Sequence, residues 1–148
     1  MSLSSASSAT IRVRAPARLH LGFLDLNGAI GRRFGLPAGC VDLAVLALHE
    51  LERVHRATEM RAGSLVAMLE RVDAFARPGR FNDLLAVCAC DYRAYPGRAT
   101  RSYPKAGLLQ RAAQACAGLG EADITSDALR EARALAVAEA LGSARWGD

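Results

Sequence analysis

The hydrophobic periodicity of the chain changes once, near Gly35, and this change limits the fold more than any other feature. Over residues 11–14 apolar and charged residues alternate, and Asn27-Gly28 is a dipeptide typical of tight hairpin turns, so the segment before Gly35 predicts β-like structure. After Pro37 the apolar residues recur every three or four positions, which is the period of an amphipathic helix. The sequence therefore predicts a hairpin-like extension joined to a helical unit.

Breaks in the helical pattern divide the second part of the chain into five predicted helices. The first runs from about Cys40 to Met60, and Gly63-Ser64 separates it from the second, which Ser64 can cap. Pro78 and Pro104 open the third and fourth helices, because the first turn of a helix tolerates proline.

The fifth helix begins after a capping residue, Asp123 or Thr125, and Gly142 ends it. The chain is rich in Ala and Leu and only 5% aromatic, which favours helices packed through small side chains. We therefore predict a mainly α fold, a five-helix bundle or array with an N-terminal β-hairpin-like extension. The predicted parts are a disordered tail at 1–9, a hairpin-like fragment at 10–35, a helical domain at 36–141 and a tail at 142–148.

The net charge of +4 is distributed unevenly along the chain. Residues 36–148 contain fourteen Lys and Arg and fourteen Asp and Glu, so this part is neutral as a whole. Between Asp91 and Glu121 there is no acidic residue, yet this window contains Arg93, Arg98, Arg101, Lys105 and Arg111. Such a stripe can meet phosphate groups even on a neutral domain, although an ordinary solvated surface has the same pattern.

No cluster of residues in the sequence predicts a metal or catalytic site. Cys88 and Cys90 are the one close cysteine pair, which is not the spacing of a zinc site, and we expect reduced thiols with Cys88 buried. His49 and His55 are six residues apart, so we expect surface or boundary residues rather than metal partners. The sequence also contains no Asp-x-Asp pair for magnesium ions and no phosphate-binding glycine loop.

The composition of the chain also bears on its compartment. The N-terminus lacks the apolar core of a secretory signal, and no stretch of about 18 apolar residues is present. We therefore expect a cytoplasmic protein that has no membrane partner.

From Leu36 onward, short motifs follow one another in the order found in a known family. They are Val54-His55-Arg56-Ala57, Asp73-Ala74-Phe75-Ala76-Arg77-Pro78-Gly79-Arg80-Phe81, Cys88-Ala89-Cys90-Asp91 and Arg101-Ser102-Tyr103-Pro104-Lys105-Ala106. This order resembles the C-terminal region of bacterial CCA-adding tRNA nucleotidyltransferases. The resemblance covers residues 36–141, about 106 of the 148 residues.

The resemblance implies that the helical unit grips the acceptor arm or elbow of a tRNA. It implies phosphate contacts from the five basic residues of the acid-free window and from Arg130 and Arg133, and packing of Tyr103 on a ribose or base. The family's catalytic head, with its magnesium ions and ATP or CTP, lies upstream of this region, so we expect no cofactor on this chain. Besides tRNA, the expected partner is a head domain or a second copy of the chain.

A second resemblance covers the first part of the chain. Residues 13–28 and 31–35 are similar to the start of β-ribofuranosylaminobenzene 5′-phosphate synthases, of the GHMP kinase superfamily. This resemblance implies a sugar-phosphate transferase whose phosphates are bound by Arg18, His20, Arg32 and Arg33. The two resemblances meet at Gly35–Leu36, which suggests a junction of two segments, natural or artificial. Three hypotheses stay open: an RNA-binding module without its catalytic head, a non-functional relic, and a fragment of a GHMP-type transferase.

Overall fold

A computed structural model describes residues 28–120 and 125–142 of the chain. No strand occurs in these two ranges, and the mainly α prediction is confirmed. A short 3-10 helix, Ala57–Glu59, follows the second helix. The α-helices are α1 (Ala29–Arg33), α2 (Ala38–His55), α3 (Ala62–Arg71), α4 (Pro78–Ala94), α5 (Pro104–Ala115) and α6 (Ser126–Leu141).

The segment before Pro37 is helical where the structure describes it. Ala29–Arg33 form α1, so the prediction of β-like structure is wrong for these residues. The close approach of Gly28 to α2 accompanies this difference. The φ of Gly28 is +72°, and a Cβ added there would lie 2.5 Å from Cγ1 of Val41 in α2. The backbone thus turns directly onto α2, at a distance that only glycine permits. The rest of the predicted hairpin-like fragment, 10–27, and both predicted tails except Gly142 lie outside the described residues.

The break between α2 and α3 comes earlier than the sequence predicts. α2 ends at His55, and the chain passes through the 3-10 helix and an extended Met60 before α3 begins at Ala62. Gly63 and Ser64 are therefore inside α3, and the prediction that Ser64 caps this helix is wrong. The carbonyl of Arg61 accepts a hydrogen bond from Leu65 N at 2.9 Å, so the helix is already formed before Ser64.

The other predicted helix ends are confirmed. Pro78 and Pro104 lie in the first turns of α4 and α5. Thr125 caps α6, because its Oγ1 accepts a hydrogen bond from Ala128 N at 3.4 Å. Gly142 ends α6 in the left-handed conformation, whereas Asp123 lies outside the described residues.

The helices share one hydrophobic core, to which α3 contributes completely buried side chains and in which α3 packs on α5 and α6. α2 packs along α4, while α6 packs against both α3 and α5. Leu65, Met68 and Leu69 of α3 are completely buried, and Leu84 of α4 and Leu109 of α5 meet them. These are the apolar stripes that the sequence predicts, brought together by the connections between the helices.

One buried carboxylate ties α2 to α3. Glu50 is 3% exposed, the one buried charged residue in the described part of the chain. Its Oε1 accepts from Nε of Arg71 at 2.7 Å and its Oε2 accepts from Nη2 at 3.3 Å. Arg53 adds a third contact, from Nη1 to Oε1 at 3.3 Å. These three bonds offset the cost of removing the Glu50 carboxylate from water.

The core makes a specific prediction about stability. Replacing Leu69 with Ala removes a completely buried side chain and leaves a cavity, so we expect the free energy of unfolding to fall by about 2–5 kcal/mol. Leu135→Ala is the matched control, because Leu135 is 64% exposed on α6 and its loss should cost less than about 0.5 kcal/mol. Urea unfolding followed by circular dichroism measures both variants. Equal losses would contradict the packing described here.

Candidate nucleic-acid interface

The acid-free window forms the end of α4, the loop 95–103 and the whole of α5. Arg93 and Arg101 are exposed, and Nε of Arg93 donates to the carbonyl of Arg101 at 3.2 Å. Among the described residues, no carboxylate forms an ion pair with any basic residue of this window. By contrast, the arginines that do pair with a carboxylate lie outside it: Arg53, Arg56, Arg71, Arg77, Arg130 and Arg133. Within residues 28–120 and 125–142, five side-chain charges of one sign thus lie on one connected stretch of chain with no carboxylate paired to them.

Two consecutive turns shape the loop 95–103. In the first, Arg98 N donates to Tyr95 O at 3.1 Å, with Pro96 and Gly97 between them. Gly97 has a φ of +76°, and proline followed by a positive-φ glycine is typical of a type II turn. In the second turn, Arg101 N donates to Arg98 O at 3.0 Å. The loop is thus held by its own backbone.

The side chain of Arg98 is held between two tyrosine rings. Its Cζ lies 4.8 Å from the ring centroid of Tyr92 and 5.0 Å from that of Tyr95. A guanidinium over an aromatic face is attracted by the negative potential of the ring. The two rings fix the orientation of Arg98, whose N–H groups remain the donors that a phosphate would need.

A hydrogen-bonded network fastens this loop to α2. Nδ1 of His55 lies 2.8 Å from the hydroxyl of Tyr103, and its Nε2 lies 3.0 Å from Oδ2 of Asp91. In the neutral imidazole, Nε2–H donates to the carboxylate and Nδ1 accepts from the phenol, so both ring nitrogens have a partner. The Tyr103 ring stands edge-on to His55, with centroids 5.6 Å apart, and lies 5.2 Å from the ring of Tyr92. The network therefore connects His55 to the ring beneath Arg98.

Tyr103 is an internal residue of the helical unit. Its side chain belongs to the core, and the residue is only 6% exposed. Burial, followed by the nearby Cys88 and Asp91, raises the pKa of Tyr103, so the phenol is neutral at physiological pH. With its ring packed and its hydroxyl bonded, Tyr103 has no free face for a ribose or base. This placement disfavours the predicted packing of Tyr103 on RNA and makes the residue the anchor of the loop.

Arg130 and Arg133 make contacts within the protein. Nε of Arg130 lies 2.9 Å from Oε2 of Glu70, and Nη1 of Arg133 lies 3.0 Å from Oε1. Arg133 also donates from Nη2 to Leu119 O at 3.2 Å and packs 4.4 Å above the ring of Phe75. Its side chain is 13% exposed and bridges helices, a placement that disfavours the predicted contact of Arg133 with RNA phosphates. Arg130 is 62% exposed but shares the same carboxylate.

The sequence did not predict that His55 and Asp91 are hydrogen-bonded to each other. His55 was expected at the surface or boundary of the helix, and its side chain is indeed partly exposed, at 23%. Its partners stand 36 and 48 positions further along the chain, at a distance where periodicity carries no information. The available signal was that all three residues lie in the motifs carrying the family resemblance.

The structure bears on the other expected sites only within the described residues. There, no group of three or more His, Cys, Asp and Glu side chains is arranged to hold a metal ion. None of the helices in the same ranges is both long enough and apolar enough to cross a membrane. Arg32 and Arg33 lie on α1, whereas Arg18 and His20 of the transferase hypothesis lie outside the described residues.

These features define the class of the protein: within the described residues it is a helical unit that carries a basic loop without acidic residues. Comparison with curated proteins finds similarity to proteins named multifunctional CCA protein. That of Laribacter hongkongensis is 38% identical over 96 residues, covering 65% of this chain and 24% of the relative. That of Janthinobacterium sp. is 37% identical over 132 residues, covering 80% and 32%, and that of Thioalkalivibrio sulfidiphilus is 36% identical over 122 residues, covering 82% and 29%.

The chain is thus homologous to a C-terminal segment of the CCA-adding enzymes, which confirms the resemblance carried by its motifs. It spans between 24% and 32% of the length of the relatives just described. The alignment that covers 82% of the chain includes about 121 residues, more than the 113 from Leu36 to the end, so it begins before Leu36. No family model matches the chain. No solved structure matches it either.

The four cysteines provide a test of the packing beneath the interface. Cys88 and Cys116 are buried while Cys40 and Cys90 are exposed, as expected for Cys88. Burial, followed by the charge of Asp91, raises the pKa of Cys88 from 9.0 to about 12. Because the thiolate is the reactive form, Cys88 should stay unreactive in the folded protein up to about pH 10.

We expect a thiol reagent at pH 8 to modify two thiols in the native protein and four in denaturant. Cys88→Ala is the control, and it should leave the native number at two while lowering the denatured number to three. Rapid modification of Cys88 in the native protein would show that the space between α2 and α4 is open to solvent. Mass spectrometry of the labelled peptides identifies the modified residues.

Proposed function

We propose that this chain is a tRNA-binding helical module that contacts the phosphates of the acceptor arm or elbow. Its homology to CCA-adding enzymes supports tRNA as the ligand, since those enzymes act on tRNA. In this proposal the addition of nucleotides, with magnesium and ATP or CTP, belongs to the head region of such enzymes. The head, or a second copy of this chain, is then the protein partner, and the cytoplasm is the site of action.

The observation that carries the proposal is the uncompensated charge of the window 93–111. Counterions condensed on RNA are released when basic side chains replace them, and this release favours binding. A basic side chain that is already paired inside the protein must first lose its partner. Within the described part of the chain, the basic side chains of this window have no carboxylate partner to lose, although the segment 36–148 is neutral.

The geometry of the loop supports phosphate recognition in particular. Arg98 is oriented by two rings, and the Arg93 side chain is held by a hydrogen bond from its Nε to the carbonyl of Arg101. Donors that are fixed before binding lose less conformational entropy when RNA arrives. The contacts are with the sugar–phosphate backbone, so we expect recognition of tRNA shape rather than of base sequence.

This proposal predicts strongly salt-dependent binding of tRNA. With three to five phosphate contacts, a plot of the logarithm of the association constant against the logarithm of salt concentration should have a slope of about −3 to −4.5. The double substitution Arg93→Ala and Arg101→Ala should weaken binding by at least about tenfold near 100 mM salt and reduce the slope by about 2. Fluorescence anisotropy of labelled tRNA measures both quantities.

The matched control is Arg56→Ala. Arg56 is also an exposed arginine, but its Nε already pairs with Oε2 of Glu59 at 2.8 Å, outside the window. Its removal should change affinity by less than about twofold and leave the salt slope unchanged. Absence of tRNA binding by the wild-type chain at about 50 mM salt would overturn the proposal, because electrostatic binding is strongest there.

A further inference from the structure

The contacts around His55 connect α2 to the basic loop without a break. His55 bonds to Tyr103, the ring of Tyr103 packs on Tyr92, and Tyr92 lies against the guanidinium of Arg98. Asp91 holds the other side of the imidazole, 3.0 Å from Nε2, so the ring cannot rotate without losing a bond. The position of the Arg98 guanidinium is therefore tied to the orientation of one histidine in a different helix.

From this connection we infer that His55 is a positioning residue for RNA binding, which sets Arg98 through Tyr103 and Tyr92 for contact with a phosphate. The inference rests on the proposed function, because it names what holds the RNA-binding side chain in place. His55 itself makes no RNA contact in this account. Its Nδ1 and Nε2 are both used inside the protein, and its side chain is 23% exposed.

Tyr103 and Tyr92 take part in this arrangement through different groups, a hydroxyl and a ring. The hydroxyl of Tyr103 is bonded to His55, so its orientation depends on the imidazole. Tyr92 takes part through its ring, which lies 5.2 Å from the ring of Tyr103 and 4.8 Å from Cζ of Arg98. Removing the hydroxyl of Tyr103 should therefore disturb Arg98.

The alternative account is that His55 only stabilises the fold. A loss of stability lowers the fraction of protein able to bind, but each folded molecule keeps the same phosphate contacts. In that case the salt slope of binding would be unchanged. A positioning role predicts instead that His55→Ala loses the contribution of Arg98, so the slope should decrease by about 1.

A double-mutant cycle tests the inference directly. We expect Arg98→Ala and His55→Ala each to weaken tRNA binding by about five- to tenfold, and the double variant to be no weaker than Arg98→Ala alone. The matched cycle pairs His55→Ala with Arg111→Ala, which lies further along α5 and outside the network. In that second cycle, the fold-losses of tRNA affinity of the two single variants should multiply in the double variant. Circular dichroism at the binding temperature confirms that each variant is folded.

Tyr103→Phe keeps the test decisive if His55→Ala does not fold. It retains the packed ring and loses only the bond to His55, so it should weaken binding by about twofold or more, coupled to Arg98 in the same way. Arg56→Ala, outside the network and paired with Glu59, is its control and should bind like the wild type. Multiplying effects of His55→Ala and Arg98→Ala, or an unchanged salt slope, would overturn the inference while the proposed function stands. No tRNA binding by the wild type would overturn both.

Discussion

The arrangement of the basic surface depends on the burial of Tyr103. Its hydroxyl bonds to His55 in α2, its ring packs on Tyr92 in α4, and its carbonyl accepts from Ala106 N at 3.3 Å where α5 begins. One residue thus connects three helices, through its side chain and its carbonyl, at the place where the loop 95–103 joins two of them. A buried phenol needs a hydrogen-bond partner, and the imidazole supplies it.

The distribution of carboxylates explains how a neutral helical segment keeps a basic surface. Glu50 is buried against Arg71, Glu70 bridges to Arg130 and Arg133, and Asp91 faces His55. Each of these acids lies at a junction between helices, where its charge is used inside the protein. The window 93–111 contains no acid, and in the part of the chain that the structure describes no carboxylate pairs with its basic side chains. The same placement of acidic residues at helix junctions therefore both ties the helices together and leaves the window 93–111 basic.

The parts of the fold that depend on neighbouring residues could be predicted from the sequence. Pro78, Pro104, Thr125 and Gly142 mark helix ends because they act on their own turn of the backbone. The break after α2 was misplaced, because Gly63 and Ser64 fit a helix once the chain has already turned at residues 56–61. The conformation of Ala29–Arg33 depends on contact with α2, which local alternation does not reveal.

The candidate site was only partly predictable, for a related reason. The basic window is visible in the sequence, because charge composition is a local property. Whether a basic or aromatic side chain faces solvent depends on partners far along the chain. Arg133 meets Glu70, 63 positions away, and Tyr103 meets His55, 48 positions away. These two residues were therefore assigned to RNA contact, although tertiary structure uses them internally.

The central claim is that RNA is held by the window 93–111 and not by the paired arginines of α6. Amide hydrogen exchange of the whole chain, measured with and without saturating tRNA, tests it most directly. Our account predicts that tRNA slows exchange in the loop 95–103 and the first turns of α5, and leaves Ser126–Leu141 unchanged. Slower exchange in α6 with none in the loop would contradict it.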